Sequence, residues 1–235
     1  MKELQVTIKS ESDSPPFQAE NLLVCDRSVT FRNDRDFLSI YKDLAENAKE
    51  KERKWRVHVF LWAFKNGLLL DGDIIECGVF RGFSSAVAVR YTEFEKIDKK
   101  LFLFDTWEGI PEAQMDKDRK QIEAYKNIEN YEKVVERFSS YKNVKLIKGQ
   151  VPDVFKTIEM PKKISFLHLD MNNATAEIGA LEALFEKMVK GAICILDDFG
   201  FQIAREQTRA ETDWFSKRGF PICEIPTGQG IVIKV

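Results

Sequence analysis

Blocks of apolar and polar residues alternate along this chain with two different spacings. Short apolar runs of strand length recur between longer stretches in which apolar residues return every three or four positions. The short runs predict strands at 73–77, 101–105, 144–147, 164–170, 192–196, 221–225 and 231–235. The longer stretches predict helices at 86–94, 119–141, 152–158, 176–189 and 202–218. This alternation favours a doubly wound α/β fold with a mostly parallel seven-stranded sheet, in which the last two strands pair antiparallel.

The first 70 residues carry a different pattern and are predicted to form an N-terminal extension. Its predicted elements are a short strand at 4–8, a polar loop at 10–16, a pairing of 22–25 with 28–31, and one long helix from 36 to about 66. No linker rich in Gly, Ser or Pro divides the chain, so we predict a single domain over 1–235.

Composition excludes several classes of function. The 235 residues are 44% hydrophobic and 31% charged, and the net charge of −2 gives no general attraction to nucleic acid. The four cysteines form no C-x-x-C pair, so we expect reduced thiols in a cytoplasmic protein without zinc or disulfides. The N-terminus lacks the apolar core of a signal peptide, and no apolar stretch is long enough for a bilayer, so we expect no membrane partner.

The segment 71–85, DGDIIECGVFRGFSS, predicts a buried strand, a glycine turn and the start of a helix. Gly78 and Gly82 lie four residues apart, and Ser84 follows where the helix should begin. Such a turn leaves free backbone N–H groups and room for a cofactor against the backbone. The G-x-x-x-G spacing matches neither the dinucleotide fingerprint nor the P-loop. A simple tight strand-to-helix connection explains the glycines equally well.

Carboxylates stand at the ends of four predicted strands: Glu76, Asp105, Asp170 and the pair Asp197-Asp198. The carboxyl ends of parallel strands share one edge of the sheet, where ligands bind, so this recurrence predicts a functional site. Glu76 is placed to bind an ammonium or hydroxyl group of a ligand. Asp105 ends the strand after the glycine turn, where a carboxylate would accept hydrogen bonds from ribose hydroxyls.

Asp170, Asp197 and Asp198 are predicted to form a separate metal cluster. Three carboxylates suit Mg²⁺, or alternatively Ca²⁺ or Mn²⁺, and do not suit zinc. The alternative is that Asp197-Asp198 only caps the following helix. His168 precedes Asp170 by two residues and therefore faces the same side of a strand, either in support of that acid or as a buried core histidine.

Four motifs together resemble the macrocin O-methyltransferase family: DIIECGVFRGFSS, LFLFDTWEGIPE, FLHLDMNNATAEIGALEAL and GAICILDDFG. The resemblance runs from about residue 72 to residue 201. It implies a Rossmann-like class I methyltransferase sheet with a reversed last strand. It also implies an enzyme that needs S-adenosylmethionine and Mg²⁺ and methylates sugar hydroxyls of macrolide and aminocoumarin antibiotics.

The resemblance also implies roles by position. Those expected to hold the methionine portion of S-adenosylmethionine are Glu76, Gly78, Gly82 and Ser84. Asp105 is expected to bind the ribose and Gln150 to lie near the adenine, while Asp170, Asp197 and Asp198 fall on the metal-binding acids. The family motif D-x-D-x-Y-x-x-T is altered here, since its second acid, tyrosine and threonine are Asn172, Ala174 and Glu177.

The implied mechanism places a sugar hydroxyl on Mg²⁺ and passes its proton to Asp170, to His168 or to water. The segment 106–141 is the expected lid, and a homodimer is expected as in relatives. The acceptor is expected to be a sugar or a glycosylated small molecule, such as a natural product, a nucleotide sugar or a polysaccharide precursor. Three alternatives remain: a non-catalytic protein that binds S-adenosylmethionine, a nicotinamide-dependent oxidoreductase, and a metal-independent methyltransferase.

Overall fold

The computed structural model describes residues 16–20, 22–117 and 129–235. Three sequence predictions fall wholly or partly outside these residues: the strand at 4–8, most of the loop at 10–16, and the first part of the helix at 119–141. Part of the predicted lid at 106–141 lies outside them as well. Within the described residues, no helix is long and apolar enough to cross a membrane.

The described part of the N-terminal extension forms a hairpin and three helices. Strand β1 (Phe17–Ala19) pairs antiparallel with β2 (Leu22–Val24), and α1 (Arg35–Leu44), α2 (Ala48–Glu52) and α3 (Lys54–Leu68) follow. The predicted pairing of 22–25 with 28–31 is therefore wrong. Residues 30–33 form a 3₁₀ turn instead, because Phe31 is buried against Phe17, Phe37 and Trp55.

The long helix predicted over 36–66 is also wrong, because local hydrogen bonds interrupt it. The side chain of Asn47 accepts a hydrogen bond from the Glu50 amide at 3.0 Å, and the Glu50 carboxylate accepts from the amides of Glu46 and Asn47. This capping box starts α2 as a new helix. Arg53 then separates α2 from α3.

Seven strands form the central sheet. They are β3 (Asp73–Cys77), β4 (Leu101–Asp105), β5 (Val144–Lys148), β6 (Ile164–Leu169), β7 (Met188–Leu196), β8 (Cys223–Glu224) and β9 (Gly230–Ile233). Their order is β5-β4-β3-β6-β7-β9-β8. The first five are parallel, and β9 runs antiparallel to both β7 and β8. The predicted mostly parallel sheet with a reversed last strand is confirmed.

Helices cover both faces of this sheet. They are α3, α4 (Phe83–Tyr91), α5 (Glu129–Phe138), α6 (Ala174–Leu184) and α7 (Arg205–Ser216). The predicted helix at 152–158 is a 3₁₀ turn, and β7 begins at Met188, inside the helix predicted at 176–189. Alternate side chains of each strand enter two separate cores. In β3, Ile74 packs with α3 and α4, whereas Ile75 packs with α6 and α7.

Two glutamates meet in the second core. Glu177 of α6 and Glu211 of α7 are both fully buried. Burial raises the pKa of Glu211 to about 7, and burial together with Glu211 raises the pKa of Glu177 well above its ordinary value. Two carboxylates cannot both stay ionised at close range in a dry core, so the pair retains a proton up to near-neutral pH.

This pair makes stability depend on pH. The folded-state pKa of Glu211 lies above its unfolded value of about 4.5. The contribution of protonated Glu211 to the free energy of unfolding is therefore fully present below about pH 4.5 and is lost as the pH rises through about 7. As the pH rises between these two values, we expect the free energy of unfolding of the isosteric variant Glu211→Gln to increase relative to that of wild type by on the order of 1–3 kcal/mol. Urea unfolding of both proteins at several pH values measures this difference. A difference that does not change with pH would contradict the raised pKa.

Candidate active site

A cavity of about 490 Å³ opens at the carboxyl ends of β3, β4 and β6. Glu76, Gly78, Asp105 and Asp170 all line it, as predicted from their places at strand ends. The segment 47–50 and Arg53 of the N-terminal extension form one wall. The volume lies in the range of cavities that hold cofactors and drug-sized ligands.

Asp105 fixes the shape of the glycine turn. Its Oδ2 accepts hydrogen bonds from the amides of Val79 at 2.7 Å and Phe80 at 2.8 Å, and its Oδ1 accepts one from the amide of Trp107 at 2.7 Å. The indole Nε1 of Trp107 donates back to the carbonyl of Phe80 at 2.8 Å. An ionised carboxylate has about four acceptor positions, so one remains for a ligand hydroxyl.

Gly78 must be glycine for two reasons. Its φ of +88° lies in the left-handed region, and a Cβ at this position would overlap the backbone carbonyl of Asp170. This close approach brings the turn after β3 against the end of β6. Gly82 has φ +67° and is the N-cap residue of α4, and a Cβ there would lie 2.7 Å from the Phe138 ring. Gly82 itself does not line the cavity, whereas Ser84 does.

Buried hydrogen bonds and ion pairs run beneath the cavity from β3 to β7. Glu76 accepts a hydrogen bond from the hydroxyl of Ser85 and lies 3.1 Å from Nδ1 of His168. His168 Nε2 lies 3.4 Å from Asp197 Oδ1, an ion-pair distance without hydrogen-bond alignment. Burial opposes a charge on His168, but Asp197 and Glu76 outweigh it and raise the pKa to about 10. The structure therefore places a charged His168 below the cavity and not on its surface.

The three predicted metal ligands come together. Oxygen atoms of Asp170, Asp197 and Asp198 lie within 4.8 Å of one another. Burial, followed by the charges of Asp197 and Asp198, raises the pKa of Asp170 well above its ordinary value. The capping alternative for Asp197-Asp198 is wrong, since α7 begins at Arg205 and has no side-chain cap.

An arginine already bonds two of these acids. Nη2 of Arg56 donates to the carboxylate of Asp197 and lies 2.9 Å from Oδ1 of Asp198. Burial opposes the ionisation of Asp197, but Arg56 and then His168 outweigh it and hold its pKa below the ordinary value. The donor set suits Mg²⁺ chemically, but a divalent ion on the same oxygens would lie against the guanidinium. As arranged, the cluster does not fit a divalent metal.

The signal for Arg56 was present in the sequence. It belongs to the charged run 49–56, which is typical of a solvated helix face, but it is only 5% exposed. Arg56 precedes Phe60, Ala63 and Gly67 by 4, 7 and 11 residues, which places all four on one buried face of α3. Helical spacing could therefore have identified it as a buried charge in need of acidic partners.

The residues that depart from the family motif support the loop after β6. Asn172 Nδ2 donates to Asp170 Oδ1 at 3.0 Å. Glu177 Oε1 accepts hydrogen bonds from the amides of Met171 at 3.0 Å and Asn172 at 3.3 Å. These side chains hold the loop that carries Asp170. Gln150, predicted near the adenine, lines a shallower recess next to the cavity, together with Thr106 and Glu108.

The family model of macrocin O-methyltransferases, described as "Macrocin-O-methyltransferase (TylF)", matches residues 64–221. The chain belongs to this family. It is an S-adenosylmethionine-dependent O-methyltransferase. The alternative of a nicotinamide-dependent oxidoreductase is therefore wrong. The cavity volume and the turn at Gly78, where a Cβ would block the backbone, fit a cofactor that lies against the chain.

Solved structures share the fold of this O-methyltransferase. The O-methyltransferase NovP is 18% identical with a TM-score of 0.62, and 77% of this chain and 79% of that chain are covered. The calicheamicin methyltransferase CalS11 is 15% identical with a TM-score of 0.60, and the coverage is 94% and 99%. TomG from Streptomyces achromogenes, solved with S-adenosylmethionine, is 13% identical with a TM-score of 0.55, and the coverage is 86% and 91%. No curated protein sequence matches the chain.

The close approach at Gly78 can be tested against a matched glycine. Gly219 has φ +75°, but no atom of the described residues lies within 4 Å of the Cβ that alanine would add there, so Gly219→Ala should cost about 1 kcal/mol of strain. Gly78→Ala adds the overlap with Asp170 and should lose at least about 2 kcal/mol more. Urea unfolding of both variants measures the costs. Equal losses would contradict the account of the turn.

Proposed function

We propose that this enzyme transfers the methyl group of S-adenosylmethionine to a hydroxyl of a sugar or a glycosylated small molecule. One observation carries the proposal: in a chain of the macrocin O-methyltransferase family, the cavity brings the glycine turn, Asp105 and Asp170 together. CalS11 is a TDP-rhamnose 3'-O-methyltransferase, and its apo structure matches this chain at 14% identity with a TM-score of 0.56, which favours nucleotide-linked sugars as the first acceptors to try.

The proposed roles follow from position in the cavity. Gly78 and Ser84 let the methionine portion lie against the backbone, with Glu76 near its ammonium group. Gly82 shapes the same turn from behind, and Asp105 offers its remaining acceptor position to a ribose hydroxyl. Gln150 is proposed to face the adenine from the neighbouring recess. When bound, S-adenosylmethionine supplies an activated methyl group, so the protein mainly has to align the acceptor with it.

Asp170 is proposed as the group that takes the proton from the attacking hydroxyl. It lines the cavity, and its raised pKa makes it a stronger base than an exposed carboxylate. His168 does not line the cavity, so we propose that it holds Asp197 and Glu76 in place beneath the site instead of meeting the acceptor. The new O–CH₃ bond forms as the C–S bond breaks, and the hydroxyl proton passes to Asp170.

The finer predictions made from the sequence stay predictions: Mg²⁺ held by Asp170, Asp197 and Asp198, a homodimer, a cytoplasmic location, and a lid at about 106–141. The three clustered carboxylates support the prediction of a metal. The bonds of Arg56 to two of these carboxylates argue against it.

An acceptor screen tests the proposal. Wild-type enzyme with S-adenosylmethionine is incubated with nucleotide-linked sugars, glycosylated macrolides and free sugars, and methylated product and S-adenosylhomocysteine are measured by mass spectrometry. We expect both products from at least one sugar-containing acceptor. Asp170→Asn should lower turnover by at least about 100-fold while it leaves S-adenosylmethionine binding unchanged.

Asp153→Asn provides the control, since that exposed acid pairs with Lys156 within a 3₁₀ turn and its loss should leave turnover unchanged. Full turnover in Asp170→Asn would contradict its role as base. Cofactor binding without transfer to any sugar-containing acceptor would favour the non-catalytic alternative.

A further inference from the structure

Arg56 is built into the aspartate cluster by several contacts at once. Nη2 donates to the backbone carbonyl of Asp197 at 2.9 Å, to the carboxylate of the same residue, and to Oδ1 of Asp198 at 2.9 Å. Nη1 lies 3.5 Å from Oε1 of Glu20 in the N-terminal extension. The guanidinium carbon also lies 5.0 Å from the centre of the Phe201 ring.

These contacts balance the buried positive charge of Arg56. The side chain is 5% exposed, and burial alone would lower its pKa, but Asp197, Asp198 and Glu20 outweigh burial and raise it. A buried charge without its partners is strongly unfavourable, so the arginine and the acids depend on each other. Gln229 completes the arrangement by donating to Asp197 Oδ1 at 2.7 Å.

We propose that Arg56 is the resident cation of the aspartate cluster and that, given the proposed function, methyl transfer by this enzyme requires no divalent metal. The guanidinium bonds oxygens of two of the three acids that a metal would need. Asp170 and Asp198 both line the cavity, and Asp170 also accepts a hydrogen bond from Asn172. Arg56 itself does not line the cavity, so it acts as a positioning residue.

The same geometry predicts a hidden metal site. Three carboxylates with oxygens within 4.8 Å of one another are hard ligands of the kind that Mn²⁺ and Mg²⁺ prefer, once the guanidinium is removed. Removal of Arg56 should therefore create binding where wild type has none. A purely structural role for Arg56 predicts instability in the variant but no gain of metal affinity.

The test titrates Mn²⁺ into full-length wild type, Arg56→Met and Arg53→Met, with free Mn²⁺ measured by electron paramagnetic resonance. Arg53→Met is the matched control, since Arg53 also pairs with Glu20, at 3.2 Å, but is 39% exposed. We expect no saturable site in wild type or Arg53→Met, and one saturable site in Arg56→Met whose dissociation constant lies at least about tenfold below the highest Mn²⁺ concentration used for wild type. Adding Asp198→Asn to Arg56→Met should abolish that site.

Saturable binding of one Mn²⁺ by wild type that Asp198→Asn abolishes would overturn the proposal. So would an Arg56→Met variant that still binds S-adenosylmethionine in calorimetry but gains no Mn²⁺ site. If Arg56→Met does not fold, the wild-type titration decides alone, since binding overturns the proposal and its absence supports it. Calorimetry with S-adenosylmethionine is a separate measurement. If it shows no cofactor binding, the proposed function fails, and the Mn²⁺ titration still shows whether Arg56 keeps a metal off the aspartates.

Discussion

The carboxylate of Asp105 accepts hydrogen bonds from the backbone amides of Val79, Phe80 and Trp107, and the cavity depends on these three contacts. Hydrogen bonds to an ionised acceptor are worth about 1.5–3 kcal/mol each, so together they hold the turn after β3 in one conformation. That conformation requires a positive φ at Gly78, and the missing side chain there lets the end of β6 approach. One carboxylate thus ties the ends of three neighbouring strands to a common geometry.

A second constraint lies below the first, in the buried charges from Glu76 through His168 and Asp197 to Arg56. Each member is costly to bury alone and is acceptable only because its neighbours carry the opposite charge. The chain of contacts links α3 to the ends of β3, β6 and β7. The N-terminal extension is therefore part of the electrostatics of the site, in addition to forming a wall of the cavity.

Much of the fold and of the cavity could be predicted because its signals are local. The apolar runs predict the parallel strands. The acids at the ends of these strands are predicted to lie close together, since the carboxyl ends of parallel strands share one edge of the sheet. The burial of Arg56 could be predicted from helical spacing, but its partners could not, since Asp197 and Asp198 are 141 and 142 residues away in sequence. The break between α1 and α2 has a local signal, the capping box of Asn47 and Glu50. The apolar residues on either side keep helical spacing, so the spacing alone predicts one continuous helix.

Calorimetric titration of S-adenosylmethionine into wild type, Asp105→Asn and Asp73→Asn shows whether the turn held by Asp105 binds the cofactor. Asp73 begins β3 at the opposite end of the sheet and accepts one amide hydrogen bond, from Lys100 at 2.8 Å, so it controls for loss of a carboxylate. We expect saturable binding by wild type and Asp73→Asn, and at least about tenfold weaker binding by Asp105→Asn. Equal binding by all three proteins, or no binding by wild type, would contradict this role of Asp105.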